Sequence, residues 1–327
     1  MKTSKCIGID VGYGFTKVIT DSEEGDRRSI FPSVVGNCED EQLDFDGLKS
    51  SSMDAVEIDG QKLLVGRSAL KHSMRLYNAR EKDWIGSPAY KGLMKYAIQA
   101  VEPDGIKLTI VSGLPVSYYK ADRMDLANLI REISTKEALT VAVKVIPQPL
   151  GSFFSLLFDN AGEVRSEELM TARVGVLDIG FYTSDLLTVD NLEPVAKQVA
   201  SFENGVAGTL ESIARDIEEA HAHDLKLDPH GTEEAVRRGT IKAYGEVHDI
   251  MDISNRRLAE LAAEIHAKAK TVWKSAADID KVLLSGGGAA LLKDHLELYR
   301  HSLVIEEPQF ANAIGYYRYA RRIDHAE

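Results

Sequence analysis

One pattern occurs twice in this chain. Ile7-Gly8-Ile9-Asp10-Val11-Gly12-Tyr13-Gly14-Phe15-Thr16-Lys17-Val18-Ile19 aligns without gaps on Gly175-Val176-Leu177-Asp178-Ile179-Gly180-Phe181-Tyr182-Thr183-Ser184-Asp185-Leu186-Leu187. Each copy reads as an apolar strand, Asp-aliphatic-Gly-aromatic, a short polar turn and a second apolar strand, which is the pattern of a β-hairpin. Asp178 follows Asp10 by 168 positions in a chain of 327, the separation that a duplicated domain leaves behind. The length agrees, because domains run to about 100–200 residues and this chain has room for two.

Between and after the hairpins the pattern alternates. The acidic, Ser- and Gly-containing stretch 37–60 lacks sustained periodicity and reads as the edge of an inserted subdomain or an exposed loop. A helix is expected over 88–101, opened by Pro88, then a strand over 107–111 that ends near Ser112-Gly113-Leu114-Pro115. Asp122 to Glu132 reads as a helix with Met124, Ala127, Ile130 and Ile133 near one face. Val141 to Ile146 reads as a strand, and Pro147-Gln148-Pro149 interrupts it, links the halves and precedes a helical run from Gly151 to Phe158. In the second half Leu258, Leu261, Ala262, Ile265, Ala269 and Val272 recur at helical spacing, which points to core packing and not to a site. That helix leads to the apolar strand Val282-Leu283-Leu284 and to Gly286-Gly287-Gly288. Alternation of this kind gives an α/β fold of mixed sheets covered by helices.

Charge and cysteine content exclude several function classes. A net charge of −12 repels nucleic acid and anionic membranes, so any link to DNA is expected to run through a basic partner protein. Cys6 and Cys38 come without a CxxC or a His cluster, which suits a reducing compartment without structural zinc. The β pattern begins at Cys6-Ile7-Gly8-Ile9, too early for a signal peptide, and no apolar run approaches the roughly 18 residues of a membrane span. A cytoplasmic location is the expectation.

The turns carry the chemistry. Backbone N–H groups in a glycine-containing turn aim several donors inward without a blocking side chain, which is what a phosphate chain requires. Gly12, Tyr13 and Gly14 suit that role, as do Gly180, Phe181 and Tyr182; Thr16, Thr183 and Ser184 add hydroxyls and Lys17 a cation. Asp10 and Asp178 end the first strand of each hairpin, where carboxylates are otherwise disfavoured. Either one alone reads as a turn cap, whereas the duplicated pair favours magnesium held through water beside a polyphosphate. Gly286-Gly287-Gly288 lets a nucleoside lie against the backbone, and reads equally well as a plain strand-to-helix turn. Gln148 between its two prolines has the neutral amide that orients an attacking water, although by position alone it reads as a surface loop residue.

With those residues in place, the chain resembles the actin/Hsp70/hexokinase superfamily. Residues 9–17 look like its first phosphate loop and 146–151, Ile146-Pro147-Gln148-Pro149-Leu150-Gly151, like its first connecting segment. Residues 177–185 are similar to the second phosphate loop, 283–289 to the adenosine loop and Ala311-Asn312-Ala313-Ile314-Gly315 to the second connecting segment. Within the superfamily the likeness is greatest to prokaryotic actin-like proteins of the ParM/StbA plasmid-segregation type and their archaeal actin-like relatives. Phe31-Pro32-Ser33, Gly113-Leu114-Pro115 with Tyr118-Tyr119, and Gln309-Phe310 before Ala311 carry it. One departure stands out: Phe181-Tyr182 replaces the two glycines that Hsp70 and ParM have in the second loop.

The resemblance implies two duplicated actin-like, ribonuclease-H-like domains around a nucleotide cleft. Domain I would be 1–150, with an inserted subdomain over about 33–88 and a C-terminal helix 311–327 completing it, and domain II 151–310. It implies ATP or ADP with Mg²⁺, and a Mg-dependent ATP hydrolase with Gln148, Asp178 and Asp10 as catalytic residues. Gly12, Tyr13, Gly14, Phe15, Thr16, Lys17, Gly180, Phe181, Tyr182 and Thr183 would hold phosphates. Glu203 and Gly205 would sit on the ribose side, with Gly286, Gly287 and Gly288 against the adenosine. Self-assembly into dynamic ATP-dependent filaments follows, for plasmid or DNA segregation or intracellular positioning, with a basic DNA-binding adaptor and no direct contact to nucleic acid or membrane. Two other readings share the fold. A small-molecule kinase needs a general base for its acceptor hydroxyl, which neither Pro147-Gln148-Pro149 nor Leu114-Pro115-Val116-Ser117 offers. A non-polymerising ATP-binding adaptor or chaperone is the other, and Tyr316 to Arg322, short and mixed, is expected to pack back onto the first domain instead of anchoring to a membrane.

Overall fold

The computed structural model describes residues 4–22, 25–38, 53–77, 84–101, 105–134, 138, 140–221, 224–296 and 298–326. Positions 39–52 of the non-periodic stretch lie outside them. The first hairpin is the start of an antiparallel meander, β1 (Ser4–Val11), β2 (Phe15–Ser22) and β3 (Gly25–Pro32), in which Asp10 lies opposite Lys17 and Val11 opposite Thr16. A small sheet follows from β4 (Val35–Asn37), β5 (Ala55–Ile58), β6 (Gln61–Val65) and β7 (Leu76–Tyr77), with the helix α1 (Gly66–His72) between the last two. Next come α2 (Pro88–Gln99), β8 (Lys107–Leu114), α3 (Val116–Ser134) and β9 (Thr140–Pro147). Strands β8 and β9 run parallel to β1, giving the order β3-β2-β1-β8-β9 among the described residues.

Crossing by α4 (Gln148–Leu157) and α5 (Glu167–Thr171), the chain repeats the plan. Strands β10 (Arg173–Ile179), β11 (Ser184–Asp190) and β12 (Glu193–Phe202) form the second meander, with Asp178 opposite Asp185. A peripheral lobe holds α6 (Ala207–His221), α7 (Pro229–Arg238), the hairpin β13 (Thr240–Ala243) and β14 (Glu246–Asp249), and α8 (Met251–Trp273). The chain closes with β15 (Lys281–Ser285), α9 (Gly286–Leu292), β16 (Ser302–Val304) and α10 (Ala311–Ala326), so the second sheet reads β12-β11-β10-β15-β16. Both sheets therefore have one topology, and the repeated hairpin opens each. Their central strands are apolar almost throughout because helices cover both faces; Ile7, Ile9, Ile110, Val176 and Leu177 are fully buried. Helix α10 returns to the first sheet, burying Ala313, Tyr316 and Ala320 against Cys6, Ile19 and Val111.

Three expectations about elements need correction. Helix α3 is longer than 122–132, and its buried face is Leu126, Ala127, Ile130 and Ile133, while Met124 is 58% exposed. Helix α8 buries Leu258, Leu261, Ala262, Ile265 and Ala269 as expected, but at its end Trp273 takes the core position and Val272 is partly buried. The indole decides this, because its Nε1 donates to the buried Thr188 hydroxyl at 2.9 Å. Pro147-Gln148-Pro149 does not separate strand from helix: Pro147 ends β9 and is the N-cap of α4, and Gln148 and Pro149 form the first turn of that helix ahead of Gly151, where a missing N–H is harmless.

Candidate functional site

The carboxyl ends of β1 and β10 open onto one cleft of about 1300 Å³. Both turns line it, together with Asp10, Lys17, Gln148, Asp178, Glu203, Gly205 and Gly286 to Gly288. Each turn closes with the same bond, from Gly12 N to Phe15 O at 3.2 Å and from Gly180 N to Thr183 O at 2.8 Å. The turns also touch. The Tyr13 ring meets Tyr182 edge-on at 5.2 Å between centroids, and the Phe181 ring packs against Gly14. Trp84 stacks on the Tyr13 ring at 5.7 Å.

Strand alternation separates the expected hydroxyls from the cleft. Because Phe15 and Lys17 face it, Thr16 between them faces away, is fully buried, and shares a hydrogen bond with the Ser33 hydroxyl at 2.9 Å. Ser184 is turned away in the same manner and donates to Asn204 O. Thr183 does line the cleft, with its hydroxyl given to Asp185 at 3.1 Å. Of the three hydroxyls expected at the phosphates, the fold therefore withdraws Thr16 and Ser184 and leaves Thr183 in the cleft.

The two carboxylates differ in environment. Asp10 accepts from Lys17 Nζ at 3.0 Å and, at the long distance of 3.4 Å, from the Gln148 amide. Lys17 is thus engaged by a buried acid. Asp178 accepts from the Asn312 amide at 2.7 Å, and Asn312 Oδ1 in turn accepts from the Ser152 N–H and hydroxyl. Burial pushes the Asp178 carboxyl up to about 7; the Asn312 bond opposes this, Asp10 and Asp185 reinforce it, and Lys17 opposes it. Burial also raises Asp185, against hydrogen bonds from Ser201, Thr183 and the Val116 N–H. That last bond, 3.3 Å long, ties the start of α3 to the second hairpin.

Residues 205–207, which line the cleft as well, fix the second turn from behind its backbone. The N–H groups of Gly205, Val206 and Ala207 donate to the carbonyls of Tyr182, Gly180 and Phe181 at 2.9, 3.2 and 2.8 Å. A side chain at Gly205 would collide with the Phe181 carbonyl. Gly286 is left-handed, with φ +89°, and its missing side chain leaves room for the Ile179 carbonyl and the Asp178 carboxylate. The glycine triplet is the strand-to-helix turn that one sequence reading expected, and it also lines the cleft.

Several cleft residues carried no usable sequence signal. Asn312 was visible only as part of a connecting segment. Arg257, Glu260 and Glu264 of α8 line the cleft although that helix reads as core packing from its apolar positions alone. Tyr118, Asp122, Asp125 and Leu129 line it from one stripe of α3, at the i, i+4, i+7, i+11 spacing of a helix face. The stripe could be found by periodicity, but its direction could not. Asp122 and Asp125 also put carboxylates in a cleft where the segments around Gln148 and Leu114 offered none. Among the described residues no group of three or more His, Cys, Asp or Glu side chains encloses a metal, and no helix is long and apolar enough to cross a membrane.

Comparison with known proteins covers most of the chain. A family model described as actin like proteins N terminal domain matches residues 8–151, and one described as archaeal actin homologue MreB-like, C-terminal, matches 176–298. An archaeal actin homolog of Thermoplasma volcanium is 27% identical over 336 positions, covering 97% of this chain and 98% of its own. Two solved structures share the fold. A chain of a 15-stranded ParM filament from Clostridium botulinum has a TM-score of 0.76 at 22% identity, covering 98% of this chain and 100% of its own. An archaeal actin homolog in complex with ADP has a TM-score of 0.73 at 22% identity, covering 97% and 99%.

Proposed function

The chain belongs to the actin-like protein family, and from that premise we propose that it is a Mg-dependent ATP hydrolase that assembles into dynamic filaments. The observation that carries this reading is the meeting of the duplicated turns in one cleft, with Asp10 and Asp178 beside them and Gln148 within reach of Asp10. In this reading the turns' backbone N–H groups hold the phosphates, Gly286 to Gly288 lie against the adenosine, and Glu203 with Gly205 flank the ribose. Asp10 and Asp178 are too few to cage a metal, which fits an ion that keeps most of its waters and takes phosphate oxygens. When bound, Mg²⁺ would supply charge neutralisation at the phosphates. Gln148 at the head of α4 would orient the attacking water, since hydrolysis needs positioning more than covalent help.

Assembly is supported by family membership and by the filament formed by a ParM that shares this fold. A role in segregating DNA would need a basic adaptor, given the net charge of −12. Phosphate release and light scattering, with ATP and Mg²⁺ against ADP, test both halves of the proposal, with electron micrographs of the same samples. Monomers at every nucleotide state and salt concentration would remove the filament; absence of phosphate release would remove the hydrolase. A second reading, a small-molecule kinase, is favoured by one observation, the Asp122 and Asp125 carboxylates in the cleft. Phosphate release without any acceptor substrate separates the two.

A further inference from the structure

His230 takes no part in the chemistry assigned above, yet it touches both turns. It is the second residue of α7, whose start is fixed by Pro229 and by the Asp228 carboxylate accepting from Gly231 N at 2.7 Å. The capped helix delivers the imidazole to the tips of the hairpins. The ring stacks on Phe181 at 6.0 Å between centroids and 12° between planes, and meets the Phe15 ring edge-on at 5.1 Å and 88°. One contact belongs to the first hairpin, the other to the second, and the helix itself to the peripheral lobe. A further α7 link to the first half, Arg67 to Glu234 at 3.8 Å, joins two exposed side chains and contributes little in water.

Packing alone would be served by phenylalanine. His230 instead buries an Nδ1 that has no hydrogen-bond partner among the described residues, a cost that asks for a reason. Burial lowers the ring's pKa from the ordinary histidine value, against the pull of Asp228, Glu233 and Glu234. Asp228 is the N-cap of α7 and the two glutamates lie on the helix; Glu233 is paired with Arg237 and Glu234 with Arg67 of α1. Phe15 from β2 and Phe181 from the second turn bring no charge. A charged imidazolium has to be hydrated, which its place between two phenyl rings denies it.

Resting on the nucleotide reading above, we infer that His230 is a positioning residue for that site: its neutral ring wedges between Phe15 and Phe181, holds the two turns together, and on becoming charged loosens their grip on the nucleotide. The sign follows from the lowered pKa. The wedge is intact above the ordinary histidine value near 6.5 and is lost as pH falls below it through the ring's own lower value.

Release of a fluorescent ADP analogue by stopped flow, from about pH 5 to about pH 8 around the histidine range, tests this on the full chain, His230→Phe and His230→Ala. In the parent, release accelerates roughly tenfold at the acid end for each unit by which the wedge lowers the ring's pKa. His230→Phe keeps the packing without the proton, so it loses that acceleration and retains only the part due to Asp178, which all three proteins share. His230→Ala releases quickly at every pH. Acid acceleration in His230→Phe equal to the parent's overturns the inference, as does parent-like release from His230→Ala. Since His230→Phe preserves the ring stack, the test does not depend on the alanine variant folding. A parent that binds no nucleotide at any pH overturns the nucleotide reading and this one with it, whereas tight binding with identical pH profiles overturns this one alone.

Discussion

Asp10 and Asp178 hold the same register position in the duplicated hairpins, yet the residues opposite them differ in charge: Lys17 across from Asp10, and Asp185 across from Asp178. The two turns close with the same backbone bond, and the residue opposite each aspartate makes them electrostatically unequal. The first carboxylate is neutralised by its neighbour, whereas the second is buried beside another acid and held by an amide. An ionised Asp178 is therefore the costly state of the free protein, and a bound cation would relieve it.

Asp178→Asn tests that cost. Because the native carboxyl titrates at about 7, above the ordinary carboxylate range, the stability it confers is full at low pH and is lost as pH rises through 7. An amide cannot ionise, so the variant gains on the order of 1–3 kcal/mol over the parent at alkaline pH and little in acid. Thermal melts of the nucleotide-free protein at both ends of that range read the difference, and Mg-dependent phosphate release from the same variant falls to background. Equal melting shifts in acid and alkali would refute the assignment.

Lys17→Met leaves Asp10 buried without its cation. Breaking a buried pair from one side costs about 3–5 kcal/mol, and both partners here are largely buried side chains. Urea denaturation should show that loss, with recovery of most of it in the Asp10→Asn, Lys17→Met double variant. A double variant no more stable than the single one would show that Lys17 acts through something other than Asp10.

Gln148→Ala removes an amide at the first turn of α4 that reaches Asp10 and leaves the turns untouched. Phosphate release is expected to slow on the order of a hundredfold, the effect of a misplaced reactant, with nucleotide affinity within a factor of about two. Single-turnover release measured beside a fluorescent-nucleotide titration separates the two quantities. Hydrolysis at the parent rate would end the catalytic role of Gln148.

Gly286→Ala places a methyl group on a left-handed backbone between the Ile179 carbonyl and the Asp178 carboxylate. Strain of about 1–2 kcal/mol from the backbone alone adds to the collision, so the melting temperature falls and nucleotide affinity falls with it. Retained affinity at a lowered melting temperature would mean that the glycine serves packing only.

Sequence reading reached the hairpins, the glycine turns, the paired aspartates and the order of the large elements, because each is encoded within about twenty residues by strand alternation, turn chemistry and helical spacing. It failed where a side chain's partner is remote. Asn312 meets Asp178 across 134 positions, and His230 meets Phe15 from a lobe that local periodicity cannot orient. Thr16 is an intermediate case: alternation alone assigns it to the face opposite Lys17, but which face is the cleft follows only from the docking of two sheets.

By itself, then, the amino-acid sequence determined that two copies of one strand-turn-strand unit exist and that each presents a carboxylate and a glycine turn. Tertiary structure decided that the copies face one another, that Lys17 serves Asp10, and that α3 and α8 turn charged stripes into the cleft. The physical reason is range. Backbone sterics and hydrophobic period act between neighbours in the chain, while burial, ion pairing and the pKa of Asp178 depend on which distant surfaces the packed core brings together.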